Sequence, residues 1–202
     1  AFSDELSPGD VKPLHYFGTD MVLFRTMQGR PCVLDAYCPH LGAHLGNGGV
    51  VDGETIKCPF HAWCFDGAGH CTDIPYAKKI PAKSHLDAWP VLERNGMIFL
   101  FHDSEGGAPD YEIPVMAEYG HSEWMPWDHS VMTIKTHSRE IIENVVDFAH
   151  FSSVHGTKPQ VFENEFNDHM AVQHNKGVAF PRGGGRGRGD RGLPLRVHPR
   201  GR

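Results

Sequence analysis

The sequence has no long hydrophobic run. Its longest uninterrupted apolar stretch, Met97 to Phe101, falls far short of the ~18 residues a membrane helix needs. No membrane span is therefore expected. The opening AFSDELSPGD lacks the basic and apolar regions of a signal peptide. It also lacks an initiator Met, so the N-terminus is expected to be cut or processed. These features together predict a soluble, cytoplasmic protein. A disulfide framework is missing too: Cys32, Cys38, Cys58, Cys64 and Cys71 are odd in number and irregularly spaced. In a reducing compartment, clustered Cys and His point to metal before disulfide. Positive charge is scarce outside the C-terminus. Residues 181–202 hold seven Arg and one Asp, net +6, which leaves −12 for residues 1–180 within a total of −6. An acidic body argues against a nucleic-acid surface.

What is present divides the chain. Two hundred and two residues suffice for one ordinary domain, or a small one and part of another. From Met21 to about Asp103 short apolar runs alternate with tight turns. MVLFRT and PCVLDAY flank Gln-Gly-Arg, Val50-Val51 and Thr55-Ile56 flank Asp52-Gly53, and Val91–Arg94 and Met97–Phe101 flank Asn95-Gly96. Asp-Gly and Asn-Gly between apolar pairs signal hairpins, with positive φ expected at both turn residues. The expectation is a small antiparallel β domain over 21–115, after a lead-in over 1–20. A proline-spaced link follows, and then HSREIIENVVDFAHF, residues 137–151. Ile141, Ile142, Val145, Phe148 and Ala149 repeat there at helical spacing, with Ser138 as the expected cap. The tail over 181–202 has almost nothing to bury. A slipped reading frame or read-through intron, an RGG-like RNA-binding tail and a functionless disordered terminus all stay open. The absence of aromatics among its Gly/Arg repeats weakens the RNA reading.

The chemistry concentrates in CPHLGAHLGNGGVVDGETIKCPFHAW, residues 38–63. Each of two glycine-studded loops supplies one thiol and one imidazole: Cys38 with His40, and Cys58 with His61. Structural zinc is the plainest alternative, but such sites usually pair Cys with Cys and His with His along the chain. Here the types alternate. Alternation suits a two-iron cluster in which each loop touches both irons, the two Cys on one iron and the two His on the other. Gly42, Gly46, Gly48 and Gly49 are expected to let the backbone close around the sulfides and aim N–H groups at them. Cys32, Cys64 and Cys71 read as packing residues.

Residues 21 to about 103, through CPH-LG, CPFH-W, the FDGAG turn and IPY, resemble a Rieske [2Fe-2S] domain. Ala43 and Phe60 stand where respiratory Rieske proteins carry two further Cys that form a bracing disulfide. The resemblance therefore implies the oxygenase or ferredoxin branch, with a potential near the low end of roughly −150 to +300 mV.

A second constellation lies in ENVVDFAHFSSVH, residues 143–155. Asn144, Asp147 and His150 recur every three residues, followed by His155, where a merely solvated stripe would favour Lys or Glu. His150 and His155 read as two ligands of a mononuclear Fe(II), whose oxygenase sites combine two His with one carboxylate. Five residues of regular helix turn through about 140°, so the helix is expected to end or distort between Ala149 and His155. Residues 21 to about 175 resemble the oxygenase component of Rieske non-heme iron monooxygenases. PYAKKIP, SEWMPW and PQVFENEFNDHMAVQ look most like the 3-ketosteroid 9α-hydroxylase group, with sterol desaturases as neighbours.

The resemblance implies several further things. A mainly β Rieske domain would be followed by the start of an α+β catalytic domain over 116–180. Asp147 would bridge His150 to His40 or His61 across a subunit boundary in a homotrimer, and Asn144 would line the iron pocket. A flavin and iron–sulfur reductase would deliver electrons, and the substrate would be a hydrophobic, steroid-like small molecule. The third ligand, an aspartate, should lie well over a hundred residues beyond His155. Only 47 residues remain; Glu163, Glu165 and Asp168 match non-ligand positions, and Asp190 sits in the tail. Two outcomes follow: a C-terminally truncated oxygenase chain, inactive alone, or an electron-transfer or interaction module without catalysis. The second half is expected to be loosely ordered, with Ile141, Val145 and Phe148 lacking a sheet to cover them.

Overall fold

The structure is a computed structural model that describes residues 1–167 and 169–179 and the backbone of 196–197. The chain forms two compact units that divide between Trp127 and Asp128. In chain order the strands of the first are β1 (Val11–Tyr16), β2 (Thr19–Arg25), β3 (Pro31–Asp35), β4 (Val50–Asp52), β5 (Thr55–Lys57), β6 (Cys64–Asp66), β7 (Cys71–Asp73), β8 (Ala88–Trp89), β9 (Val91–Arg94) and β10 (Met97–Leu100). One antiparallel sheet runs β1-β2-β3-β8 and a second β4-β5-β6-β7, with β9 and β10 as a separate hairpin. The mainly β architecture is the one expected.

Strand β2 is covered on both faces, and its period of two decides the core. Val22 and Phe24 join Cys32, Leu34, Ile56, Phe65 and Leu86 on one side, around Cys38 and Cys58. Met21 and Leu23 join Val33, Leu6 and Ile98 on the other. The first core is thus also the floor of the two Cys-His loops.

The hairpins form where expected, with one shift. Asn95 and Gly96 both take positive φ, 54° and 72°, between paired Arg94 and Met97. Asp52, however, pairs with Thr55. The inner turn residues are therefore Gly53 and Glu54, and only Gly53 has positive φ, the arrangement with glycine at the first turn position.

Residues 1–20 are no lead-in. Leu6 is buried, the Ser3 N–H donates to the Gly96 carbonyl (2.8 Å), and β1 pairs with β2 along its length. The sequence hides this because β1 is only half-covered. The first unit also runs past residue 115. Buried Asn95 donates from Nδ2 to the Pro114 carbonyl (2.9 Å) and accepts from the Met116 N–H (2.9 Å). Its carbonyl accepts from Trp127 Nε1 (2.8 Å). Long-range bonds to one turn residue leave no periodic trace in the sequence.

The second unit contains β11 (Thr133–Ile134), α1 (Ser138–Val146), α2 (His150–Val154), the long hairpin β12 (Thr157–Asn167) and β13 (Met170–Ala179), and β14 (Arg196–Val197), which pairs with β11. The cap of α1 is His137, whose Nδ1 accepts from the Arg139 N–H (3.1 Å), rather than Ser138. The helix breaks first at Asp147–Ala149, just before His150, and α2 then ends at His155, inside the expected window. Asp147 Oδ1 accepts from the Ala149 N–H (2.9 Å), a side-chain bond that competes with helix continuation. The expected loose second half takes defined elements, with Phe148 and Phe151 edge-on to Phe162. Yet no residue of α1 is buried, and Ile142, Val145 and Phe148 stay exposed. The Gly/Arg/Pro tail, with Asp190, lies outside the described residues apart from the backbone of 196–197, as does Asp168. Among the described residues no helix is long and apolar enough to cross a membrane.

Arg25 ties the first unit together. It is 7% exposed, and its five N–H donors reach the carbonyls of Leu6, Gly29 and Ser3 and both oxygens of Glu93 (2.7 and 2.9 Å). The paired guanidinium holds the Glu93 carboxyl below its ordinary value of 4.5, against a smaller upward push from burial. A depressed folded value gives stability that is present above the unfolded value and lost as pH falls through the folded one. Glu93→Gln is expected to cost ~2 kcal/mol at neutral pH and to flatten the acid limb of stability below about pH 4.5. Urea denaturation between pH 3 and 7 checks both, and an unchanged acid limb would contradict the assignment.

Candidate metal sites

The two Cys-His loops share one hydrogen-bonded frame. In the first, the Cys38 N–H donates to the Ala43 carbonyl and the Cys38 carbonyl accepts from the Gly42 N–H, both at 2.9 Å. In the second, the Cys58 N–H donates to the Trp63 carbonyl (2.8 Å) and the Cys58 carbonyl accepts from the Ala62 N–H (3.0 Å). Each loop reverses through a left-handed residue, Gly42 (φ 73°) or Ala62 (φ 58°). A non-glycine residue there is uncommon, and nothing in the sequence marks Ala62.

These frames bring the four expected side chains together in pairs. Cys38 and Cys58 are buried in the same core and remain free thiols. The His40 and His61 rings lie edge to face with centroids 4.6 Å apart. Burial, opposed by a hydrogen bond from the His40 N–H and reinforced by the adjacent Cys58 sulfur, pushes the Cys38 thiol up to about 11. Binding a metal there must displace protons. His61 Nδ1 is buried without a hydrogen-bond partner, an orphaned polar atom of the kind a metal ion would satisfy. Two buried thiols beside two imidazoles, one ring nitrogen unpaired, fit a cluster whose irons each take two protein ligands.

The loop glycines act differently from expectation. The N–H groups of Gly42, Gly46 and Gly49 donate to Cys38 O, His44 Nδ1 and Leu45 O, within the loop rather than toward sulfides. At Gly49 an added Cβ would stand 2.2 Å from the Leu45 carbonyl oxygen, so close approach explains the residue. The remaining thiols behave as packing groups: Cys32 and Cys64 are buried and Cys71 packs against the first core. Burial raises all three above the ordinary thiol value. Trp63, which closes the CPFH-W motif, has a place that no local pattern marks. Its indole lies flat against the His40 ring, at 4.7 Å and 7°.

The second unit pairs His150 with His155. Their ring centroids are 5.1 Å apart, because His150 opens α2 and His155 caps its end. Asp147 Oδ2 lies 3.3 Å from His150 Nδ1, without the alignment of a hydrogen bond. Asn144 sits in the last turn of α1, its carbonyl accepting from the Asp147 N–H (3.3 Å). Glu163 and Glu165 lie on β12, and Glu165 faces His174 (3.5 Å). Among the described residues no three or more His, Cys, Asp or Glu side chains are grouped to hold one metal ion.

Residues 1–90 match the Rieske [2Fe-2S] domain, and residues 100–196 match the 3-ketosteroid 9α-hydroxylase C-terminal domain. Over 170 residues the chain is 45% identical to the oxygenase component of a 3-ketosteroid-9-alpha-monooxygenase from Rhodococcus rhodochrous, covering 82% of this chain and 43% of that protein. Over 153 residues it is 39% identical to cholesterol 7-desaturase nvd 1 of Ciona intestinalis, covering 76% of this chain and 33% of that protein. The chain spans less than half the length of these curated relatives. Among solved structures, dicamba monooxygenase bound to dicamba has the same fold, with a TM-score of 0.68 at 22% identity over 89% of this chain and 56% of that one. With a Rieske domain followed directly by 3-ketosteroid 9α-hydroxylase sequence, the chain belongs to the Rieske oxygenases, in the family of the 3-ketosteroid 9α-monooxygenase oxygenase components.

Proposed function

We propose that the chain receives electrons for a Rieske-type monooxygenase that hydroxylates a hydrophobic, steroid-like substrate. In this reading Cys38, His40, Cys58 and His61 hold the [2Fe-2S] cluster, and His150 and His155 hold Fe(II). The observation that carries it is the convergence of two buried thiols and two imidazoles on loops with the same hydrogen-bond frame. When bound, the cluster supplies one-electron transfer and ferrous iron supplies the redox chemistry of dioxygen.

The chain's own residues do the rest. The apolar floor of Val22, Phe24, Leu34 and Ile56 keeps water from the two sulfurs, and the His40 N–H stabilises negative charge on Cys38. Asp147 stands beside one nitrogen of His150, as outer carboxylates do when they orient a ligating imidazole. In the assembled trimer the same carboxylate would reach a cluster histidine of a neighbouring subunit. Asn144 would line the iron pocket. A separate flavin and iron–sulfur reductase would supply the electrons. The steroid assignment rests on the relatives' names, as fold alone does not carry function.

Anaerobically reconstituted protein is expected to give a Rieske-type electron paramagnetic resonance signal on reduction. Cys38→Ser and His61→Ala should abolish it, and Cys64→Ser should retain it. Stoichiometric zinc without iron or sulfide would sink the assignment. His150→Ala should lower the iron-to-sulfide ratio while leaving the cluster signal intact; an unchanged ratio would remove His150 from the second site.

A second reading, electron transfer without oxygen chemistry, is favoured by the lack of a third ligand beside His150 and His155 among the described residues. On this second reading, reductase, NADH, dioxygen and 3-ketosteroids give reduction of the cluster without hydroxysteroid. Coupled formation of a hydroxylated product by this polypeptide would favour the first reading, and an unsaturated steroid would move the chain toward the desaturases.

A further inference from the structure

Two sequence motifs, CPFHAW and IPY, meet in space through Trp63 and Tyr76. Trp63 Nε1 donates to Tyr76 Oη at 2.7 Å. The Trp63 indole is 8% exposed and lies parallel to the His40 imidazole at 4.7 Å and 7°. An indole N–H has no alternative role as acceptor, and when buried it needs a partner. Tyr76 supplies that partner from the surface, where its residue is 62% exposed. Its backbone is anchored by buried Ile74, whose carbonyl accepts from the Ala77 N–H (2.9 Å).

We infer that Tyr76 is a positioning residue that acts through Trp63 to fix the plane of the His40 imidazole. The inference rests on His40 being a cluster ligand, as proposed above. The geometry leaves the indole little choice. Its flat face is set by His40, its inner side leans toward Phe65 (centroids 6.5 Å, 36°), and its one donor points at Tyr76. Removing Oη frees the indole to rotate about its own axis, and the imidazole stacked upon it then samples a range of planes. Ring orientation governs how an imidazole's orbitals overlap with a bound iron, so a spread of planes becomes a spread of electronic states. A residue that touches neither iron nor sulfide would in this way tune the centre.

The test compares Tyr76→Phe, Trp63→Phe and the double variant in the cluster-loaded chain. Iron and sulfide per chain, the reduced-state paramagnetic spectrum and the midpoint potential are read for each. Tyr76→Phe retains the ring and Trp63→Phe retains a stacking face, so both are expected to keep full iron and sulfide. Tyr76→Phe should broaden the g features and shift the midpoint. Trp63→Phe should do the same, and the double variant should shift no further than Trp63→Phe alone, because the hydroxyl that is removed acts through the indole N–H, while the Tyr76 ring that stands edge-on to His61 (centroids 6.4 Å, 73°) is kept in the phenylalanine. Unchanged spectrum and potential in Tyr76→Phe would overturn the inference. Additive shifts in the double variant would also overturn it, by showing a second route from Tyr76. Loss of iron and sulfide in Tyr76→Phe would replace positioning with a purely structural role. A parent chain that gives no Rieske signal would overturn the cluster assignment itself, whereas a parent signal with silent variants would overturn this inference alone.

Discussion

Each Cys-His loop must reverse within five residues while keeping its cysteine buried and its histidine at the rim, and the surrounding structure serves that constraint. The solution is the same twice: the cysteine's N–H and carbonyl are both bonded inside the turn, so neither of its own backbone groups is left unpaired beside the sulfur. With the backbone satisfied, Cys38 and Cys58 can lie in an apolar core. That core exists because β2 and β3 alternate their side chains between two faces. The burial that packs the loops also raises the Cys38 thiol, so the same packing that orders the loops keeps the proton on the sulfur until a metal displaces it.

Sequence-distant segments converge on the first unit through two polar hubs rather than through further apolar packing. Arg25 gathers the N-terminal segment, the β2–β3 connection and β9 with all five of its donors. Asn95 gathers residues 114–127. Both side chains are buried and hydrogen-bonded, Arg25 through all five donors and Asn95 through its amide nitrogen and oxygen, the condition under which such groups specify an arrangement instead of weakening it. These hubs fix the sheets on which the loops stand without entering the site.

The second unit has a different economy. Its helices pair two histidines, and the hairpin below offers Phe162 to Phe148 and Phe151. Much apolar surface of α1 nevertheless remains open. A helix with that pattern is shaped to be covered.

By itself the sequence determined what depends on local chemistry. The candidate Cys-His loops, the mainly β class, the Asn95-Gly96 hairpin and the helix that starts at Ser138 all follow from residue type and spacing within a few positions, where hydrogen-bonding geometry and periodicity act. The tertiary structure decided what depends on partners far along the chain. It absorbed residues 1–20 into the sheet through Gly96 and β2, and it extended the first unit to Trp127 through Asn95. It laid Trp63 flat on His40. Those contacts are set by where two segments can meet without leaving a buried polar group unpaired, a condition that no stretch of sequence can state alone.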